Sequence, residues 1–417
     1  MLDLKFIREN PDKVRQGLKA KNAKLDLESL LSLDEKRRKI IQEVEALKAE
    51  RNKANDEISA LKRAKQDAEP KIREMKTISE RIGALDQEGS KVDEELSKLL
   101  FYIPNIPHES IPIGGPDKNK VVKEWGDTKP RYATSKLRTH VELCDLLGWV
   151  SSDIGAKLTG SGWLFYKGFG ARLERALINF MLDLHTKKHG YEEVSPAFVV
   201  NRQTMTGTGQ LPKMEEDMYR LKDEDFFLIP TAEVPVTNAH RDDVLKEEDL
   251  PKKYAAYTPC FRREAGSYGK DTKGLSRIHQ FDKVELVKFT RPENSYDELE
   301  SLRADAEKVL QLLELPYRVV MLASGDISFA AAKCYDLEVW APGSQKWFEV
   351  SSCSNFEDFQ ARRINVKFKR KATGKSEWVH TLNGSGVALP RTVIGILENF
   401  QKDDGTVIIP KVLEPYL

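Results

Sequence analysis

At 417 residues the chain exceeds one average domain, and its 40% apolar content suffices for a sizeable core, so two domains are expected. The 67 Lys and Arg nearly cancel the 66 Asp and Glu, so global charge points to no nucleic-acid partner and any basic surface must be local. Four scattered cysteines, Cys144, Cys260, Cys334 and Cys353, form no CxxC pair, which argues against a zinc ribbon or a disulfide framework, and no run is apolar enough to cross a bilayer. The expectation is a soluble cytoplasmic protein without zinc.

From about Leu30 to Leu100 there is one Pro, two Gly and no aromatic residue among dense Ala, Leu, Ile, Glu, Lys and Arg, the composition of long helices. Ile40, Val44, Leu47, Arg51, Ala54, Ile58 and Leu61 recur in steps of four and three and so share one helical seam. A second register runs through Ile78, Ile82, Leu85, Gly89, Val92, Leu96 and Leu99. Pro70 between them suits a first helical turn, so two helices of roughly 50 Å at about 1.5 Å per residue fold back as an antiparallel hairpin. Such a hairpin can serve as a spacer or an oligomerisation element. Its charge is uneven, however: residues 36–65 carry a net +5 and residues 66–100 a net −3, so the first helix is the better face for a phosphate backbone. Arg51 is the one charge in the first seam. The prolines of Phe101-Tyr102-Ile103-Pro104-Asn105-Ile106-Pro107 end the arm, which sets the domains at 1–105 and 106–417.

The texture beyond is globular. Strands are expected at Phe226 to Ile229, His279 to Phe289 and Trp347 to Val350, and helices at Ala171 to Lys188, Asn294 to Leu313 and Thr392 to Gln401. Familiar nucleotide motifs are incomplete. Lys369 stands where a P-loop ending in Gly374-Lys375-Ser376 needs its first glycine, and Gly168-Phe169-Gly170 lacks the third glycine of a dinucleotide fingerprint. Cys260 to Phe289 reads as two strands joined by a basic, Gly-containing loop. On such strands Arg262 and Glu264 share a face, as do Phe281, Lys283 and Glu285. Phe281 and Glu285 then lie roughly 13 Å apart at about 3.4 Å per residue, a span that suits an elongated adenylate with its ring on the aromatic end. Taken alone, the same alternation also describes a salt-bridged hairpin face.

The stretch Phe261-Arg262-Arg263-Glu264-Ala265-Gly266-Ser267, then Asp271-Thr272-Lys273-Gly274-Leu275, then His279-Gln280-Phe281-Asp282-Lys283-Val284-Glu285 resembles motif 2 of class II aminoacyl-tRNA synthetases in its seryl form. Further pieces follow in family order: Gly207-Thr208-Gly209-Gln210-Leu211-Pro212, Thr231-Ala232-Glu233, Tyr335-Asp336-Leu337-Glu338-Val339-Trp340, and Glu349-Val350-Ser351-Ser352-Cys353-Ser354-Asn355. Asn383 through Arg391 resembles motif 3, and a weaker motif 1 ends at Pro196. The resemblance spans the chain, arm included.

The resemblance implies an α+β fold, a class II antiparallel sheet flanked by helices, with an N-terminal antiparallel coiled-coil arm. It implies activation of L-serine by ATP and transfer to tRNA(Ser), and to selenocysteine tRNA where that exists. Arg262 would hold the α-phosphate and Arg391 the γ-phosphate, Glu264 would accept from the adenine amino group, and Phe281 would stack on the ring. Arg263, Ile278, Val350 and Ser351 complete the expected ATP contacts, and Glu349 with Ser352 matches the ligands of an ATP-bound Mg2+. Three residues apart on a regular strand, those two face opposite sides, so the backbone must bend near Ser351. Serine selection is assigned by resemblance to Thr231, Ala232, Glu233, Arg262, Glu285, Asn383 and Ser385. His279 is expected to brace the hairpin. Lys270 and Lys273 stand where family members often carry Arg, and Cys334 has no assigned role. On the arm, Arg37, Arg38, Lys48, Arg51 and Lys62 are the expected tRNA contacts. The resemblance also implies a homodimer.

Two rival readings meet objections in the sequence. A paralogue that loads a carrier protein typically lacks a full arm, and a catalytically dead scaffold has no use for Arg262, Glu264, Glu349 and Arg391 converging on one site.

Overall fold

The computed structural model describes residues 1–133, 136–265 and 274–417; the loop cations Lys270 and Lys273 lie outside them. The chain divides into two compact units. One is Leu2–Lys19 with Ala23–Ile103, and the other is Met1, Ala20–Asn22 and Pro104–Leu417.

The first unit is built on two long helices, α1 (Leu27–Arg63) and α2 (Glu69–Tyr102). Asp26 starts α1 by accepting from the backbone N–H groups of Glu28 and Ser29, both at 3.1 Å, which fills two of the donors a helix leaves unpaired. Ile40 and Val44 of α1 pack on Ile82, Leu85 and Val92 of α2, with Leu33, Leu47 and Ile78 at the margin. Cross-helix ion pairs descend in antiparallel order, Lys36 with Glu88 at 2.8 Å, Glu43 with Arg81 at 2.7 Å and Glu57 with Lys71 at 2.9 Å. Exposed pairs of this kind add little, so the apolar seam carries the stability. Both registers read from periodicity form this seam, except that Leu100 rather than Leu99 is the buried residue of the last turn.

The second unit centres on an eight-stranded sheet. In chain order its strands are β1 (Lys120–Trp125), β2 (Glu192–Glu193), β3 (Lys252–Phe261), β4 (Gln280–Thr290), β5 (Tyr317–Met321), β6 (Lys333–Ala341), β7 (Lys346–Asn355) and β8 (His380–Ala388). They lie in the order β1-β5-β6-β7-β8-β4-β3-β2, antiparallel throughout except for the short β2–β3 pair. The main core is closed by helices α3 (Phe169–Lys187), α4 (Ser295–Leu312) and α5 (Leu389–Asn399). Leu173, Leu177 and Met181 come from α3, Leu302, Ala306 and Val309 from α4, and Val393, Ile394 and Leu397 from α5, all essentially inaccessible to solvent. Along helix α5, Val393, Ile396 and Leu397 are buried, as is Phe400 just beyond its end, but so are Thr392, Glu398 and Asn399 on its other sides. Strand β7 runs five residues beyond the expected Val350.

Two irregularities shape the sheet. Against β6, Leu337 pairs with Ser351 and Glu338 with Glu349, leaving Val350 as an extra residue. Against β4, Ser385 pairs with Glu285 and Val387 with Val284, leaving Gly386 as a second bulge. Moreover, β7 and β8 pair only from Cys353 to Asn355 and from Leu382 to Gly384. Beyond that point the two strands part, and the sheet opens into a cleft.

Candidate active site

The cleft holds about 680 Å³, within the range of small-ligand sites. Strand β4 supplies one wall. Its alternation brings Phe281, Lys283 and Glu285 to the cleft together, as period two requires. Opposite, the bulge at Val350 turns Glu349 and Ser352 to the same side, which answers the bend expected near Ser351. Ser351 itself is buried, and its hydroxyl donates to the Ser385 carbonyl at 2.6 Å across the parting strands.

One end is acidic and closely bonded. Glu285, almost fully buried, accepts from the Lys283 ammonium at 2.5 Å, from the Asn383 amide at 3.2 Å and from the Ser385 hydroxyl at 3.4 Å. Lys283 also donates to the Thr231 hydroxyl at 2.9 Å. Glu233 follows Thr231 at the start of a short helix, and its carboxylate accepts from the Gln360 amide at 2.6 Å. Burial, reinforced by the neighbouring Glu285, pushes Glu233 up to about 7.

The other end is cationic and apolar. The Arg262 guanidinium lies 5.1 Å from the centre of the Phe281 ring. Arg391, in the first turn of α5 beside Pro390, donates to the carbonyl of Glu349 at 2.8 Å and that of Ser276 at 3.2 Å, and its guanidinium is 3.5 Å from the Glu349 carboxylate. Glu264 accepts from Arg277 at 3.1 Å, with Ile278 and Leu275 beside it. The strand reading of Arg262 and Glu264 is corrected here: β3 ends at Phe261, and Glu264 has a φ of +51°, so a left-handed turn and not alternation brings it to the cleft. His279 closes the hairpin: its carbonyl accepts from the Arg262 backbone N–H at 2.8 Å, and its ring Nδ1 lies 3.0 Å from the Arg262 carbonyl.

Fourteen of the residues expected here were Arg262, Arg263, Glu264, Ile278, Phe281, Glu349, Val350, Ser351, Ser352, Arg391, Thr231, Glu233, Glu285 and Ser385; all but Arg263 and Ser351 line the cleft, as does Asn383. Arg263 is exposed in a separate depression with Tyr219 and Arg220, and Ala232 is buried in the core behind Thr231. Of the arm residues, Arg37 is bound to Asp93 at 2.5 Å and Arg38 to the buried Asp34 at 3.2 Å, Arg51 is half-buried in the seam, and Lys48 and Lys62 are exposed. Sequence reasoning gave no role to Lys283, Arg277 or Gln360. Lys283 could have been found from its place between Phe281 and Glu285; Gln360 carries no local signal.

Cys334 lies 3.1 Å from the Ser352 hydroxyl. All four cysteines are buried thiols. Among the described residues no helix is long and apolar enough to cross a membrane.

The family model for the seryl-tRNA synthetase N-terminal domain matches residues 1–107, and that for the tRNA synthetase class II core domain (G, H, P, S and T) matches residues 216–400. The chain is 57% identical to the serine-tRNA ligase of Caldicellulosiruptor saccharolyticus and to that of Bacillus cereus, covering all of this chain and 99% and 98% of the relatives. The crystal structure of seryl-tRNA synthetase from Pyrococcus horikoshii complexed with ATP superposes with a TM-score of 0.93 at 38% identity, over 100% of this chain and 98% of that one. The cytoplasmic enzyme of Naegleria fowleri in complex with AMP gives 0.89 at 30% identity, over 100% and 97%. A split antiparallel sheet, an acidic pocket beside two arginines and full-length similarity at this level lead to one conclusion: the chain belongs to the seryl-tRNA synthetase family, with a class II catalytic core.

Proposed function

We propose that this chain is a serine-tRNA ligase, which joins L-serine to ATP as seryl-adenylate with release of pyrophosphate and passes the seryl group to the 3'-terminal ribose of tRNA(Ser). The observation that carries the reading is the polarity of one cleft, with buried carboxylates at one end and Arg262 and Arg391 at the other.

In this reading serine lies at the carboxylate end. Its ammonium meets Glu233 and the Thr231 hydroxyl, and its own hydroxyl meets Glu285, Asn383 and Ser385. A site built to pair a hydroxyl rejects alanine through the polar groups left unpaired, while threonine is excluded by size. Arg262 sits between this end and the Phe281 ring, suited to hold the serine carboxylate against the α-phosphate. One carboxylate oxygen bonds to that phosphorus as the bond to the pyrophosphate oxygen breaks, and the fixed guanidinium stabilises the charge that gathers there without having to reorient. Adenine stacks on Phe281, with Glu264 accepting from its amino group. Arg391, at the amino end of α5, would bind the departing phosphates beside the free N–H groups of that helix.

The oxygen donors Glu349 and Ser352, turned to one side by the bulge, fit a hard divalent cation. Mg2+ held there would neutralise the ATP phosphates and favour loss of pyrophosphate. In the second step the ribose hydroxyl attacks the seryl carbonyl and AMP leaves, its phosphate oxygen being placed to take the hydroxyl proton.

Residues 1–105 act as the tRNA-binding arm and 106–417 as the catalytic domain. Since Arg37 and Arg38 are already paired with aspartates, Lys48 and Lys62 are the freer contacts for a phosphate backbone. The enzyme works as a cytoplasmic homodimer, which sedimentation checks directly. The deciding assay is exchange between ATP and pyrophosphate with each standard amino acid. Serine should support it; absence of serine-dependent exchange refutes the reading.

A further inference from the structure

Residues 322–332 leave the sheet between β5 and β6, so their backbone polar groups must be satisfied elsewhere. Four successive carbonyls find partners on two residues far away in sequence. The Lys21 ammonium donates to the carbonyls of Ser328 at 2.8 Å, Phe329 at 3.1 Å and Ala331 at 2.7 Å, which uses all three of its donors. The buried Asn105 donates from its backbone to Phe329 at 3.0 Å, and from its amide to Ala330 at 3.0 Å and Phe356 at 2.8 Å. Ala20 and His108 tie the ends of the same segment, accepting from Ser324 at 2.8 Å and donating to Ala332 at 2.9 Å. Among the described residues no carboxylate lies within ion-pair distance of Lys21, so its charge is met by carbonyl dipoles alone.

The other face of this segment is the cleft. Ser328, Phe329 and Ala330 line it, opposite the turn Thr208-Gly209-Gln210. The fit is close: a Cβ on Gly209 would lie 3.4 Å from that of Ala330. The same turn is joined to the acidic end, because Gln360 donates both to the Thr208 carbonyl at 3.2 Å and to Glu233.

We propose that Lys21 is a positioning residue for the serine end of the cleft, holding the Ser328–Ala331 wall at the distance that admits serine and keeps larger side chains out. It touches no substrate; it acts through the carbonyls it gathers. The inference rests on the assignment of the acidic end to serine. A small pocket gains its selectivity from walls that do not yield, and a wall loosened by about an ångström costs both binding and exclusion.

Lys21→Met keeps the length of the side chain and removes its donors; Lys21→Gln keeps a donor and decides the matter if the methionine variant does not fold. In exchange assays the folded variant should raise the KM for serine about tenfold while the KM for ATP stays within about twofold, and the preference for serine over threonine in kcat/KM should fall about tenfold. A loss confined to thermal stability, or equal rises in both KM values with the serine preference intact, overturns the proposal. Glu285→Gln separates the two claims. If it leaves the KM for serine unchanged, the serine assignment fails; if it raises that KM while the Lys21 variants do not, only the positioning role fails.

Discussion

In the proposed site, where Glu233 meets the serine ammonium, serine recognition should depend on pH in a range where most carboxylates are silent. Glu233 is enclosed, faces Glu285 across the acidic end, and titrates near 7 because burial and that second carboxylate both disfavour its charge, against partial relief from Gln360, Lys283 and Arg262. The serine ammonium needs the ionised form, since charge-assisted bonds are roughly twice as strong as neutral ones. The sign follows. As pH falls through 7, Glu233 takes up a proton and affinity drops; as pH rises the affinity reaches a plateau. With a single site near 7, the apparent KM for serine scales as one plus the ratio of protonated to ionised enzyme, roughly elevenfold above the plateau at pH 6, twofold at pH 7 and close to it at pH 8. Exchange assays from pH 6 to 8 should therefore show a tenfold change in the KM for serine and a much flatter kcat, because bound ammonium itself holds Glu233 ionised. Glu233→Gln should lie at or above the acid-limb KM at every pH and lose the slope. A KM for serine independent of pH in the unmodified enzyme, or a glutamine variant that keeps the slope, would refute the reasoning.

Three other outcomes are expected. Arg391→Ala should abolish exchange while the chain stays folded, since its partners are two backbone carbonyls and a half-exposed carboxylate; circular dichroism and exchange together check this. Replacing residues 36–97 by a short linker should abolish tRNA charging and leave serine-dependent exchange largely intact, and charging that survives would make the arm a spacer. Glu174 on α3 is enclosed, and burial, reinforced by the nearby Asp282 and only partly offset by Tyr166, holds its carboxyl at about 8 instead of 4.5. The folded chain thus keeps a proton that the unfolded chain loses, so stability falls by about 1.4 kcal/mol per pH unit between roughly 4.5 and 8. Urea midpoints of Glu174→Gln should be flatter across that window and exceed those of the parent at pH 8.

How much of this was legible in the sequence depends on how far apart the cooperating residues lie. The arm was readable because a helical seam is a local property: Ile40 and Val44 face Leu85 and Val92 through spacing alone, and Pro70 marks the turn between them. Alternation along β4 was readable for the same reason, and it delivered Phe281, Lys283 and Glu285 to one wall. Alternation failed at Glu264, where the strand had already ended in a left-handed turn. The bulge at Val350 was signalled only through the resemblance, which needs Glu349 and Ser352 on one side, and that at Gly386 was out of reach in principle, because a bulge is a mismatch between two strands and belongs to neither sequence alone. The same holds for Gln360 on Glu233, 127 residues away, and for Lys21 on Ser328, at 307. These hidden features share a location. Regular pairing between β7 and β8 would have joined the two strands along their length and left no room for a ligand; that pairing begins only at Cys353, and the cleft lies where it is missing, along β7 from Ser352 back to Glu349. The backbone groups released there are met by Ser351, Arg391 and the bulged turns, so the departures from strand periodicity that defeat sequence reading are the same ones that make a site.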